Sequence, residues 1–131
     1  MTTNPIDGAA EFFFKAAQAG DQGIPLPNAL MPPDADAAYQ VQDRLQKMWI
    51  DAGAGAIVGW KVALTSKVMQ ELLGVARPCE GAIFASRVHH GDVTVAHGDF
   101  VNIGVESEIA VRIAHDLPAT GTPYDQDNIR P

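Results

Sequence analysis

The sequence contains a single cysteine, Cys79, among 131 residues. One cysteine cannot form a disulfide within the chain, and it cannot build the multi-cysteine zinc sites of many small domains. So few thiols are typical of proteins in a reducing compartment, and we therefore predict a cytoplasmic location. A nucleophilic role for Cys79 is disfavoured, because no histidine with a suitable partner is evident from the spacing.

Positive charge is also scarce. The chain has 9 Lys and Arg residues against 16 Asp and Glu residues, which gives a formal net charge of −7. The basic residues are scattered, whereas proteins that bind nucleic acids or anionic membranes present clustered Lys and Arg to the phosphates. The composition therefore predicts neither a nucleic-acid partner nor a membrane partner.

Long hydrophobic runs are absent as well. No apolar stretch approaches the roughly 20 residues that a membrane-spanning helix needs. Residues 1–5 lack the basic segment and apolar run of a secretory signal peptide, and we expect none. The hydrophobic content of 47% is nevertheless enough for one core. We therefore expect a soluble, acidic, globular chain.

Two helices are predicted within residues 1–55, which we interpret as a helical region. The first spans Ile6–Ala19, with Asp7 as its N-terminal cap. The second spans Ala35 to about Ala52 and is capped by Asp34, because apolar residues recur along it at spacings of three and four. The apolar stripe of this second helix consists of Ala38, Val41, Leu45, Met48 and Trp49.

Residues 56–131 are predicted to form a β-rich region that begins with a buried strand at Ala56–Leu64. One cation, Lys61, interrupts this apolar run, and a lysine is rarely buried without a partner. Lys61 either reaches the surface from the end of the strand or lies beside a carboxylate or carbonyl group. In the second arrangement, burial lowers the pKa of a lysine towards acid–base use. The sequence leaves both interpretations open.

The elements expected after this strand are short, apart from the last. They are a helix at Lys67–Leu73 capped by Thr65 and Ser66, a turn at Arg77–Gly81, an apolar run at Ala82–Ala85, a strand at Val93–Val95 and a long strand at Phe100–His115. The adjacent histidines, His89 and His90, are interpreted as solvated turn residues. Neighbouring side chains on a strand point to opposite faces, so such a pair cannot easily share one metal ion.

Two carboxylates lie one residue apart in the apolar stretch Val105–Val111, at Glu106 and Glu108. On a strand both glutamates share one face, while Val105 and Ile109 share the other. Such a pair persists where a cation neutralises it, where a proton is shared, or where the face is open to water. The pattern therefore leaves two interpretations, a Mg²⁺ or Mn²⁺ site with oxygen ligands and a solvated strand face.

Several collinear segments together identify a family. They are Ala37–Gln42, Val58–Ser66, Met69–Gln70, Leu73–Val75, Pro78–Gly81, Val105–Ala110 and Asp116–Pro118. In this order they resemble the 2-keto-4-pentenoate hydratase and 4-oxalocrotonate decarboxylase family, which belongs to the fumarylacetoacetate hydrolase superfamily. The resemblance extends over nearly the whole chain.

The resemblance implies roles for the residues singled out above. Glu106 and Glu108 match two carboxylate ligands of the family's Mg²⁺ or Mn²⁺. Lys61 matches a lysine beside the 2-oxo end of the substrate, either as a proton carrier or as an electrostatic stabiliser. The segment that the resemblance places near the substrate consists of Leu64, Thr65 and Ser66.

The activity implied by the resemblance is that of a lyase that adds water to a 2-hydroxy-2,4-dienoate in the breakdown of aromatic compounds. The divalent ion would act as a Lewis acid that stabilises the enolate of the 2-oxo acid. Decarboxylation of a 4-oxalocrotonate-type acid is the alternative activity. A third activity, hydrolysis of a carbon–carbon bond in a diketo acid, would need a base to activate water, and no histidine of this chain matches such a base. The implied fold is α+β, with N-terminal helices packed on the start of a mixed β-roll.

Two features depart from the family pattern. Cys79 follows Pro78 where many relatives carry an acidic residue, and Glu80 is the candidate substitute. Family members are also considerably longer, and their third metal carboxylate and much of the β-roll lie beyond the position that matches Pro131. We therefore expect an N-terminal half that needs a homo-oligomer or a complementary chain, or else a non-catalytic remnant that binds a partner.

Overall fold

The computed structural model describes residues 4–21, 23–100 and 102–129. These residues form, in chain order, α1 (Pro5–Gln18), α2 (Ala35–Trp49), β1 (Ile57–Ala63), α3 (Lys67–Leu73) and β2 (Cys79–Phe84). The mixture confirms the α+β class, whereas the β-roll and the division at residue 55 stay predictions. None of the helices in these ranges is both long and apolar enough to cross a membrane.

Helix α1 begins one residue earlier than predicted, and its cap is Asn4 rather than Asp7. The side-chain oxygen of Asn4 accepts a hydrogen bond from the backbone N–H of Ile6 at 3.1 Å. Pro5 favours this earlier start, because its fixed φ suits the first helical turn and it has no N–H to satisfy. Asp7 instead forms an ion pair with Arg44 of α2, with 2.9 Å between Oδ1 and Nε.

Helix α2 is capped as predicted, since Oδ1 of Asp34 accepts a hydrogen bond from the N–H of Ala37 at 2.8 Å. The regular helix ends at Trp49, and a π-helical turn continues to Ala54. Gly53 lies in this turn at φ 94°, a conformation that glycine adopts without strain. The chain can therefore leave α2 and enter β1 within a few residues.

The core lies between α1 and α2. Ala9 and Ala10 are fully buried and pack with Val41, while Leu45 and Met48 lie partly buried beside them. Small alanine side chains allow close approach of the two helices, so this contact needs few large residues. The predicted apolar stripe is confirmed at the inner positions, but Ala38 is exposed and its neighbour Ala37 is buried.

Strands β1 and β2 pair antiparallel in a two-stranded sheet, with Lys61 opposite Gly81 and Ala63 opposite Cys79. The prediction of a turn at Arg77–Gly81 is therefore wrong from Cys79 onwards, since the turn is shorter and β2 has already begun. The predicted burial of β1 is wrong too. Three apolar side chains on one face of β1 are more than half exposed, namely Val58, Trp60 and Val62.

The predicted strands at Val93–Val95 and Phe100–His115 are also wrong within the described residues, which exclude Val101. Both segments are irregular there, and a 3₁₀ turn at His97–Asp99 lies between them. A strand needs a neighbour to satisfy its backbone N–H and C=O groups. In the described part of the chain, the sheet contains only β1 and β2. Residues 102–115 are consequently irregular and do not pair as a strand.

Candidate functional site

Lys61 and the two glutamates, which are far apart in sequence, meet in space. The ammonium group of Lys61 donates hydrogen bonds to Oε2 of Glu106 at 2.9 Å and to Oε1 of Glu108 at 2.5 Å. Lys61 is held in position by β1, where it lies opposite Gly81 of β2. Lys61 thus combines the two positions considered for it, because it lies beside two carboxylates and also reaches the surface.

Both glutamates reach the same ammonium because they are two residues apart in an extended segment. Side chains at such positions project to the same side of the backbone. The apolar neighbours Val105 and Ile109 point elsewhere and are 95% and 94% exposed. The two glutamates thus share one side as predicted, whereas Val105 and Ile109 are exposed and do not enter a core.

The electrostatics of this cluster keep Lys61 charged. Hydrogen bonds to Glu108 and then to Glu106 raise the pKa of Lys61 above its ordinary value of 10.5, against a lowering by desolvation. This direction is opposite to the lowering that burial produces in a lysine used as a neutral base. The side chain is about half exposed, so Lys61 is an ammonium donor in contact with solvent.

The two carboxylates have the chemistry and the convergence of a partial site for a hard cation. One oxygen from each glutamate points at the same positive centre, which here is an ammonium. Mg²⁺ and Mn²⁺ prefer oxygen ligands in shells of about six, so this pair could supply two positions. Among residues 4–21, 23–100 and 102–129, no group of three or more His, Cys, Asp or Glu side chains is arranged to hold a metal ion.

The segment that resembles a substrate-binding stretch is a strained connection between β1 and α3. Leu64 has φ 57°, in the left-handed region that non-glycine residues rarely adopt. The amide of Gln70, one turn into α3, donates a hydrogen bond to the carbonyl of Leu64 at 2.8 Å. Ser66 caps α3, because its hydroxyl accepts from the N–H of Met69 at 3.3 Å. Thr65, between them, is exposed.

A hollow that the sequence did not predict is lined by two stacked side chains, Tyr39 and Arg77. Arg77 lies over the ring of Tyr39, with 5.4 Å between the guanidinium carbon and the ring centroid. The Tyr39 hydroxyl accepts a hydrogen bond from the N–H of Glu80 at 3.3 Å. These residues and Cys79 line a hollow of about 360 Å³ between the start of α2 and the start of β2. The tyrosine and arginine lie 38 positions apart in sequence, so no local pattern could reveal their stacking.

The remaining candidates of the sequence do not contact the cluster of Lys61, Glu106 and Glu108, although Cys79 lines the hollow. Cys79 is partly buried in β2, and its sulfur is 3.9 Å from the carbonyl oxygen of Arg77, a weak contact. His89 and His90 are exposed in an irregular segment, as expected for solvated residues outside regular structure.

Comparison with known proteins gives a consistent set of relatives. The chain is 33% identical over 115 residues to the TodF product hydratase of Pseudomonas putida F1, an alignment that covers 88% of this chain and 42% of that protein. It is 37% identical over 110 residues to 2-keto-4-pentenoate hydratase 1 of Dechloromonas aromatica, with 83% of this chain and 41% of that protein covered. The 2-keto-4-pentenoate hydratase of Paraburkholderia xenovorans is 32% identical over 127 residues, or 97% of this chain and 46% of its own.

The chain thus spans less than half the length of the curated relatives that it matches. No protein-family model matches it. No solved structure matches it either. The family resemblance seen in the sequence motifs is confirmed by these relatives.

Proposed function

Because the chain is related to the 2-keto-4-pentenoate hydratases over most of its length, we propose that it forms part of a lyase of aromatic-compound catabolism. The reaction would be addition of water to a 2-hydroxy-2,4-dienoate. The observation that carries the proposal is the convergence of Lys61, Glu106 and Glu108 on one point, in a chain whose relatives are named as hydratases. Those names favour the hydratase over the alternative 4-oxalocrotonate-type decarboxylase.

In this proposal Glu106 and Glu108 hold a Mg²⁺ or Mn²⁺ ion. When bound, the ion supplies Lewis-acid stabilisation of negative charge that develops on the substrate. Carboxylate oxygens are the type of ligand that these ions prefer, and the two glutamates direct theirs at one point. Further ligands would come from water, substrate or another polypeptide. The carboxylates therefore act as anchors for the cation.

Lys61 would bind the 2-oxo end of the substrate as a cation. Its raised pKa supports an electrostatic role for an ammonium over that of a neutral proton acceptor at neutral pH. A protonated lysine beside the reacting carbons can still deliver a proton to the conjugated chain. Leu64, Thr65 and Ser66 leave β1 only three to five positions after Lys61, so they would contact the same substrate.

The test of this function is an assay for hydration of 2-hydroxypenta-2,4-dienoate, followed by loss of the conjugated absorbance. The chain would be assayed with Mn²⁺, alone and mixed with a polypeptide that corresponds to the unmatched part of a relative. We expect metal-dependent turnover in the mixture. The variant Glu106→Gln should lose about 100-fold or more of this activity, because the loss of a group that merely supports a metal ligand already costs about 10- to 100-fold.

Glu11→Gln is the control for this assay, because Glu11 also accepts an exposed lysine hydrogen bond, at 2.9 Å, but lies in α1 away from the cluster. Equal turnover by Glu106→Gln and Glu11→Gln, or none in any mixture, would contradict the proposed function. Release of CO₂ from a 4-oxalocrotonate-type acid without hydration would favour the decarboxylase.

A second proposal concerns a partner, and the exposed apolar surface favours it. Val105, Ile109 and Val111 are each more than three-quarters exposed, and Val58 and Val62 on β1 are more than half exposed. Exposed apolar side chains in such number are typical of surfaces that another polypeptide covers. We propose that a second copy of this chain or a complementary chain packs here, as a homo-oligomer or a two-chain enzyme.

A further inference from the structure

We propose that Lys61 is a built-in counter-ion of Glu106 and Glu108, which a divalent cation has to displace before it can bind. This inference rests on the metal site of the proposed function and adds a role for Lys61 in the absence of substrate. It would make the affinity for metal alone low and would release the ammonium group only when metal enters.

The geometry supports displacement. The ammonium is hydrogen-bonded to one oxygen of each glutamate, at 2.9 and 2.5 Å, and so lies where the two carboxylates converge. A divalent ion held by the same oxygens would lie at about 2.0–2.1 Å from them. An ammonium and a dication so close would repel strongly. The two cations therefore compete for one position.

The side chain is able to move away. Lys61 is 47% exposed, and its flexible four-carbon stem allows the ammonium to swing without disturbing β1. With Lys61 in place the three groups carry a net charge of −1, and without it the two carboxylates carry −2. The more negative site attracts a dication more strongly, so removal of the lysine charge should raise the affinity for metal.

Displacement also couples the metal to an anionic ligand. Once released, the ammonium can pair with an oxygen anion that lies beside the metal, and this anion then replaces the glutamates as its partner. Metal and anion should thus strengthen each other's binding, and by reciprocity the same factor applies to both. Part of this factor should depend on Lys61, because a neutral side chain cannot pair with the anion.

The test is a titration of the full chain with Mn²⁺ at low ionic strength, by calorimetry and by electron paramagnetic resonance of free Mn²⁺, with and without oxalate. The variant Lys61→Met should bind Mn²⁺ alone about three- to tenfold more tightly than wild type, since each exposed ion pair contributes only modestly. Oxalate should strengthen Mn²⁺ binding less in this variant than in wild type.

Two further variants sharpen the result. Lys15→Met is the matched control, because Lys15 forms a 2.9 Å ion pair with Glu11 and its substitution removes the same charge elsewhere, so it should leave Mn²⁺ binding unchanged. Lys61→Arg keeps the charge and should bind Mn²⁺ as weakly as wild type. If Lys61→Met does not give the circular dichroism of the folded chain, Lys61→Gln takes its place with the same expectation.

The outcomes separate this inference from the proposed function. Wild-type binding that Glu106→Gln abolishes, together with unchanged binding by Lys61→Met, overturns the counter-ion role and leaves the metal site intact. Absence of Mn²⁺ binding in wild type, Lys61→Met and Glu106→Gln alike overturns the inference, and the hydration assay with the complementary polypeptide then decides the proposed function separately. Tighter binding by Lys61→Met and by Lys15→Met to the same extent also overturns the inference, because the effect would then be one of overall charge.

Discussion

Lys61 is paired with two carboxylates and is also exposed to water, and both surroundings favour the charged form of its side chain. The hydrogen bonds to Glu108 and Glu106 favour its charged form and hold its pKa above the ordinary value. A group whose pKa is raised on folding contributes stability below its unfolded pKa, and that contribution disappears as the pH rises through the folded pKa. The ammonium of Lys61 should therefore stay charged throughout the neutral range, and the contribution of its raised pKa to stability should be lost only in strong alkali.

The titration of Lys61 can be measured directly. We expect the Cε resonance of Lys61 to titrate at a higher pH than in the variant Glu108→Gln, because the largest hydrogen-bond contribution is then removed. The measurement is a carbon-13 NMR titration of labelled lysine. An unchanged Lys61 midpoint would contradict a role for Glu108 in holding the lysine charged.

The individual residues of the cluster can be singled out from the sequence, but their meeting cannot. A lone lysine in an apolar run and two glutamates at alternate positions are local patterns, and both are recognisable without a structure. Lys61 and Glu106 are 45 positions apart, and only the folded path of the chain brings them together. The raised pKa of Lys61 follows from that contact, so the sequence alone could not give its direction.

At the scale of elements, the helix caps are the parts that local chemistry determines. Substitution of Asp34 by Ala should destabilise the chain by about 1 kcal/mol, because the N–H of Ala37 at the start of α2 then has no side-chain acceptor. Urea unfolding followed by circular dichroism would measure the change. Asp36→Ala is the matched control in the same turn, since Asp36 has only a long, exposed contact of 3.7 Å with Arg77. Equal destabilisation by both substitutions would contradict the capping role.

The helices and the first strand were predictable because their patterns are local. Capping by Asp34 and Ser66, the periodicity of α2 and the stop at Gly74 all act within one or two turns. The failures are at Val93–Val95 and in residues 102–115, whose apolar alternation is typical of strands. A strand forms only when another segment supplies its hydrogen bonds, and that partner is not encoded in the segment itself.

At the scale of the whole molecule, the apolar surface along residues 105–113 should drive association. The variant Ile109→Asp is expected to reduce self-association or capture of a complementary chain, because a charge would have to be buried in the interface. Light scattering coupled to size-exclusion chromatography would measure it. Val68→Asp is the control, since Val68 of α3 is also exposed and its substitution adds the same charge outside residues 105–113. Association that resists both variants would place the interface elsewhere.

The contact between Lys61 and the glutamates has a consequence for how the chain folds. Among the described residues, the hydrogen bonds that join residues 102–115 to the rest of the protein are those donated by Lys61. They close a loop of more than forty residues, and the entropic cost of this closure is offset by paired charges rather than by a hydrogen-bonded sheet. Added salt weakens exposed pairs of this kind, and at 0.1 M it largely screens charges that are more than about 10 Å apart. The docking of this segment is therefore governed by the ionic strength of the surroundings, whereas the pairing of α1 with α2 is governed by apolar packing.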